Sequence, residues 1–149
     1  MEKIALGCDH TALEMKAAVK SHLEEKGYVV LDVGTYTTES CDYPDFAEAV
    51  ANEVASGRYK KGIIICGTGV GVGIAANKVR GIRCATCNDL FTAEMTRRHN
   101  DANMLAFGAR VVGIEVGLRI VDNFLGTAFD GGRHVRRVDK IMAIEKKNR

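Results

Sequence analysis

Short apolar runs alternate with amphipathic stretches along the whole chain, and this alternation predicts the fold. Lys3-Ile4-Ala5-Leu6-Gly7-Cys8 reads as a first strand, ended by Asp9-His10. Ala12, Leu13, Met15, Ala17, Val19 and Leu23 then recur among charged residues at helical spacing, predicting a helix over 11–25 with Gly27 as its stop. Tyr28-Val29-Val30-Leu31-Asp32-Val33 is β-branched and apolar, the mark of a strand buried on both faces. A Thr-, Ser- and Gly-containing loop with Asp42-Tyr43-Pro44 leads to a predicted helix over 45–55, which Gly57 ends, and Gly62–Cys66 forms a third strand. Beyond a glycine cluster at 67–73, the pattern gives a helix at 74–78, a strand at 82–87, a helix at 90–98, a short strand at 104–107 and a helix at 113–124. Gly131-Gly132 breaks the chain before a helical segment at 133–149. Strands alternating with helices indicate βαβ units, a parallel sheet and right-handed crossovers. The expected architecture is α/β, a three-layer α/β/α sandwich on a five-stranded parallel sheet. Its Rossmann-like, flavodoxin-like strand order is 2-1-3-4-5, with a C-terminal helical extension.

Length and composition narrow this picture without redirecting it. At 149 residues, with 46% hydrophobic and 27% charged residues, the chain suits one soluble domain over 1–149, neither disordered nor membrane-embedded. The longest strongly apolar run, Ile63-Ile64-Ile65-Cys66, is far short of the roughly 18 residues a membrane span needs. Met1–Gly7 carries no signal-peptide core, so a cytoplasmic protein without a membrane partner is expected. Five cysteines, at 8, 41, 66, 84 and 87, then read as reduced thiols. The net charge of +2 conceals an asymmetry: residues 1–130 hold 14 basic and 17 acidic side chains, residues 131–149 hold 7 and 2. The basic charge lies in the last helix. No Trp, few aromatics and no basic stripe elsewhere argue against nucleic acid as its partner.

In a 2-1-3-4-5 sheet the ligand crevice opens beyond the carboxyl ends of strands 1 and 3, which points to Cys8-Asp9-His10 and Cys66-Gly67-Thr68-Gly69-Val70-Gly71. Glycine at every second position lets backbone approach a ligand, and amides at a strand-to-helix turn suit an anion or oxyanion, beyond what a tight turn alone needs. No Gly-Lys-Ser/Thr follows, so this is no P-loop. Gly71-x-Gly73-x-x-Ala76, with Asp89 after the next strand, matches a dinucleotide fingerprint weakly, because it starts too far past the strand. Thiols at helix N-termini ionise more readily than free ones, so Cys66 is either a reagent or a buried, inert residue. Cys8 reads as core. Cys84-x-x-Cys87 has redox or zinc spacing but lies in a strand without a second ligand pair. His99-Asn100-Asp101, just past Arg97-Arg98, is a helix terminus with favourable charge or carries a general acid. Arg133 and Arg137 share a helix face, as a solvated surface or as a grip for one phosphate.

Taken together, Gly7-Cys8-Asp9-His10, Asp42-Tyr43-Pro44, Cys66–Gly71, Asn77-Lys78, His99-Asn100-Asp101-Ala102-Asn103, Gly108-Ala109-Arg110 and Gly132-Arg133-His134 closely resemble the type B ribose-5-phosphate isomerases. That family includes allose- and galactose-6-phosphate isomerases. The resemblance runs through almost the whole chain. It implies an aldose–ketose isomerase without metal or cofactor, a dimer or dimer of dimers with sites shared between subunits. It makes Cys66 the base that works through a cis-enediolate, and assigns the amides of Gly67, Thr68, Gly69, Val70 and Gly71, with the Thr68 side chain, to the enediolate oxygens. His99 would open the furanose ring, Asp9, His10, Tyr43 and Asn100 would hold sugar hydroxyls, and Arg133, Arg137 and Arg110 would grip the phosphate. The helix in 131–149 would pack on the partner subunit. No acid follows Gly71, since Val72-Gly73-Ile74 comes next, which places the chain in the thiol subgroup. Ribose 5-phosphate is the expected substrate; a six-carbon sugar phosphate, or non-catalytic binding of a nucleotide or sugar phosphate, is the alternative.

Overall fold

The computed structural model describes residues 2–149. Five strands, β1 (Lys3–Cys8), β2 (Val29–Asp32), β3 (Lys61–Cys66), β4 (Cys84–Thr86) and β5 (Met104–Gly108), form one all-parallel sheet. Six helices surround it: α1 (Leu13–Glu25), α2 (Tyr43–Ala55), α3 (Val70–Ala76), α4 (Leu90–Asn100), α5 (Ile114–Gly126) and α6 (Arg133–Lys147). Side chains alternate along each central strand, and each face acquires its own core. Ile4, Leu6, Cys8, Ile63, Ile65, Leu105 and Phe107 pack under α1, α4 and α5. Ala5, Ile64, Cys66, Met104 and Ala106 pack under α2 and α3. This alternation sends the two strand-end cysteines to opposite faces, Cys8 toward α1 and Cys66 toward α3. Burial pushes the Cys8 thiol up to about 12, as its reading as core requires. No helix among the described residues is long and apolar enough to cross a membrane.

The strand order is β2-β1-β3-β5-β4, so the last two strands exchange the places expected for them. Met104–Gly108 is buried along its whole length and takes the interior position against β3, whereas β4 shrinks to three residues, none fully buried, at the edge. Asn103 staples that edge: its amide donates to the Gly81 carbonyl (2.9 Å) and its oxygen accepts from Arg83 N–H (2.8 Å). β2 is likewise an edge strand with half-exposed residues, not one buried on both faces. An apolar run signals a strand but not its place in the sheet. The exchange matters for the site. α3 leaves β3 toward one face, while α1 and α5, which follow the flanking strands β1 and β5, pack on the other. The carboxyl end of β3 therefore opens on both sides rather than one.

Candidate active site

Cys66 ends β3 with its side chain 6% exposed, and its sulfur accepts a hydrogen bond from Gly69 N–H at 3.2 Å. Gly69 adopts φ +81° as the residue before α3, and a Cβ there would lie 2.7 Å from the Phe107 backbone. The turn is clamped by the ends of the neighbouring strands. Asn88 donates to the Thr68 carbonyl (3.2 Å) and accepts from Gly108 N–H (2.8 Å), and the Thr86 hydroxyl donates to the Gly69 carbonyl (3.0 Å). Thr68 itself is exposed, its hydroxyl accepting Val70 N–H at 3.2 Å. Gly108 lies so close beneath the turn that an added Cβ would sit 2.7 Å from Thr68 backbone atoms. Gly108→Ala is accordingly expected to lower stability by about 1–3 kcal/mol, through a displaced turn. Activity should fall with it by about tenfold or more, because small misplacements of reacting groups are costly. Thermal unfolding and kcat measure the two effects.

Around this turn the same chain gathers several of the expected residues. Asp9, 6% exposed, accepts hydrogen bonds from Thr11 N–H (3.0 Å) and the Thr11 hydroxyl (2.6 Å), and its own amide donates to the Ile65 carbonyl (3.2 Å). His10 Nδ1 accepts Cys41 N–H at 3.2 Å, which leaves the proton of the neutral ring on Nε2, facing away as a donor. The Tyr43 ring, at the start of α2, covers Gly71 so closely that a Cβ would lie 2.6 Å from it. Arg110 packs its Cδ 3.3 Å from the Cβ position of Gly67, and its amide donates to the Gly67 carbonyl (3.0 Å).

The remaining expected residues form a second group. α4 runs antiparallel to the strands, so His99 and Asn100, its last residues, reach the amino end of β5 while Cys66 pairs in register with Gly108 at the carboxyl end. The five residues of β5 put its ends roughly 13 Å apart at about 3.3 Å per residue. His99 stacks on His134 of α6, ring centroids 4.4 Å apart and planes inclined by 12°. Arg133 and Arg137 are exposed on the same helix. Asp130 accepts from Arg98 Nε at 3.2 Å and completes a group with ligand-capable atoms of His99, Asp130 and His134 within 4.8 Å of one another. Burial holds the His134 imidazole below its usual range, and His99, Arg133 and Arg137 add to the effect. The cationic surroundings and the parallel rings, whose in-plane lone pairs do not converge, suit this group poorly to a metal ion.

Several local expectations change. α3 begins at Val70, so Gly71 and Gly73 lie inside a helix, Gly71 under Tyr43 and Gly73 with a Cβ position 2.5 Å from the Thr86 hydroxyl. That packing accounts for the weak dinucleotide pattern, and Asp89 caps α4 by accepting Thr92 N–H at 2.7 Å. His99 and Asn100 belong to the last turn of α4 rather than lying past its end, and Asp101 takes the left-handed conformation (φ 46°) that closes it. Arg97 and Arg83 fix that turn through the Ala102 and Asp101 carbonyls, at 2.7 and 2.8 Å. Burial raises both thiols of Cys84-x-x-Cys87, Cys84 to about 12, in keeping with inert residues. The expected trio of phosphate-binding arginines is divided, Arg110 beside Cys66 and Arg133 with Arg137 at the other end. Sequence reasoning missed Asn88 and Thr86, whose value lies in long-range clamping, and gave His134 no role although it ends a recognised motif.

A family model described as Ribose/Galactose Isomerase matches residues 4–141. The chain is 51% identical over 147 residues to ribose-5-phosphate isomerase B of Escherichia coli K12, covering 99% of both. Among solved structures it is similar to ribose-5-phosphate isomerase B of Clostridium thermocellum (52% identity, TM-score 0.97, 99% of both chains). It is also similar to the Mycoplasma genitalium enzyme with bound ribulose-5-phosphate (44% identity, TM-score 0.92, 97% and 96% covered).

Proposed function

The chain belongs to the ribose/galactose isomerase family, and on that premise we propose that it interconverts ribose 5-phosphate and ribulose 5-phosphate with Cys66 as the base and His99 as the ring-opening residue. His99 delivers a proton to the ring oxygen as the anomeric hydroxyl gives one up, freeing the aldehyde. The Cys66 thiolate takes the proton from C2, and the electron pair forms the C1=C2 bond of a cis-enediolate, leaving negative charge on O1. Thr68 and backbone amides of the 67–71 turn meet the enediolate oxygens. The proton returns from sulfur to C1 while the O2 hydroxyl proton passes to O1, so that C2=O forms and ribulose 5-phosphate results. Asp9, His10, Tyr43 and Asn100 orient the hydroxyls, and the free cysteines support a cytoplasmic setting, where thiols stay reduced.

The observation that carries the reading of a shared site is the split of the expected residues between opposite ends of the sheet. Two copies related by a twofold axis bring the Cys66 end of one chain to the His99 end of the other, twice per dimer. α6 supports this arrangement: it buries only His134 and Val138 in its own chain and leaves Val135, Ile141 and Ile144 exposed by 45%, 45% and 58%, a face for the partner subunit to cover. Arg110 then rejoins Arg133 and Arg137 around one phosphate. Removing one guanidinium by Arg137→Ala should raise KM for ribose 5-phosphate by about tenfold or more with a smaller change in kcat. An unchanged KM removes Arg137 from the phosphate site.

A further inference from the structure

The reaction as described gives His134 no task, yet its ring stacks on that of His99, centroids 4.4 Å apart. Resting on the reading of His99 as the ring-opening residue, we propose that His134 is its positioning residue: a neutral imidazole stacked on His99 that fixes the orientation of that ring and leaves it the sole proton carrier of the pair. Three observations support this. The rings are stacked, not joined edge to edge, so His134 orients its neighbour by its face and exchanges no proton with it. His134 is buried and held by the backbone, its amide donating to the Gly131 carbonyl at 3.0 Å, whereas His99 is half-exposed at the end of α4.

The third is the charge around the pair. Arg98 and His99 face it from α4, Asp130 from the preceding loop, and Arg133 and Arg137 from α6 itself. Asp130 spends both carboxylate oxygens on Arg98 Nε, each at 3.2 Å, and so does little to favour a second positive charge. Two stacked imidazoles beside three arginines accommodate one proton far more easily than two, and burial keeps that proton off His134. The sugar phosphate, arriving with its negative charge on Arg133 and Arg137, then offsets the positive charge beside the stacked pair.

The test separates ring opening from enolisation. In deuterated water the enzyme exchanges the C1 hydrogen of ribulose 5-phosphate through Cys66 alone, because this ketose is open-chain; net turnover of ribose 5-phosphate needs the ring opened as well. His134→Ala is expected to lower net turnover by about tenfold with C1 exchange and KM nearly unchanged. His134→Phe, a flat ring that carries no proton, should restore most of the loss, which a hydrogen bond from His134 to phosphate would not allow. Ring-proton NMR of the whole protein should show His134 staying neutral to a lower pH than a free imidazole does. Equal losses in the Ala and Phe variants, a rise in KM, a parallel loss of exchange, or a His134 that protonates as readily as a free imidazole would each overturn the proposal. His99→Asn is the control for its premise: if that variant also fails to separate exchange from turnover, the assignment of ring opening to His99 is what falls.

Discussion

Cys66→Ala is expected to abolish isomerisation while leaving a folded protein. General acid–base steps contribute about 10²–10⁴-fold, and losing the group proposed to take the C2 proton should cost the upper end of that range in kcat. The fold should tolerate the change. Cys66 is small, and the one hydrogen bond its sulfur accepts, from Gly69 N–H at 3.2 Å, is worth about 1 kcal/mol against about 5–15 kcal/mol for a domain. Cys66→Ser sharpens the test, because the hydroxyl still accepts from Gly69 yet ionises far less readily than a thiol and has no neighbouring base identified to activate it. Both variants should retain far-UV circular dichroism, with melting temperatures within a few degrees of the parent. Ribulose 5-phosphate formation should be lost in both. Retention of parental kcat by either variant would take the thiol out of the reaction.

Much of this site is legible in the sequence because its parts are local. The period-2 and period-3.6 patterns mark the strands and helices, and the glycine-rich turn after Ile63-Ile64-Ile65-Cys66 announces backbone brought close to a ligand. What is not legible depends on pairing between distant segments. The register Cys66↔Gly108 is one such case: nothing in Met104–Gly108 by itself says that it pairs with β3 in place of the earlier strand β4. The same pairing puts Gly108 under Thr68 and lets Asn88 clamp the turn. The start of α3 at Val70 is hidden because glycine has poor helix propensity, and packing against Tyr43 and Thr86 overrides it. His134 reads as one more polar residue in a basic helix until the fold lays it on His99.

Mixing two inactive variants should restore activity. If each site takes Cys66 from one subunit and His99 from the other, Cys66→Ala and His99→Asn homodimers are both dead at every site. A heterodimer formed between them has one site with both defects and one with neither. Random reassortment makes half the dimers heterodimers, so about a quarter of the parental sites, and about a quarter of the parental kcat per chain, should return. The geometry leaves little room for a different outcome under this mechanism. Within one chain the two residues lie toward opposite ends of β5, a strand spanning roughly 13 Å at about 3.3 Å per residue, whereas a sugar phosphate needs both within a few ångströms of adjacent carbons. Exchange is best driven by brief partial unfolding and refolding of the mixture, with differently tagged chains purified in tandem to confirm heterodimers before the assay. Tagged heterodimers that form but show no activity would place both residues in the same subunit's site, or remove one of them from the chemistry. Recovery toward the parental value per chain would instead indicate that one of the variants was never fully inactive, which the separate homodimer assays would already show.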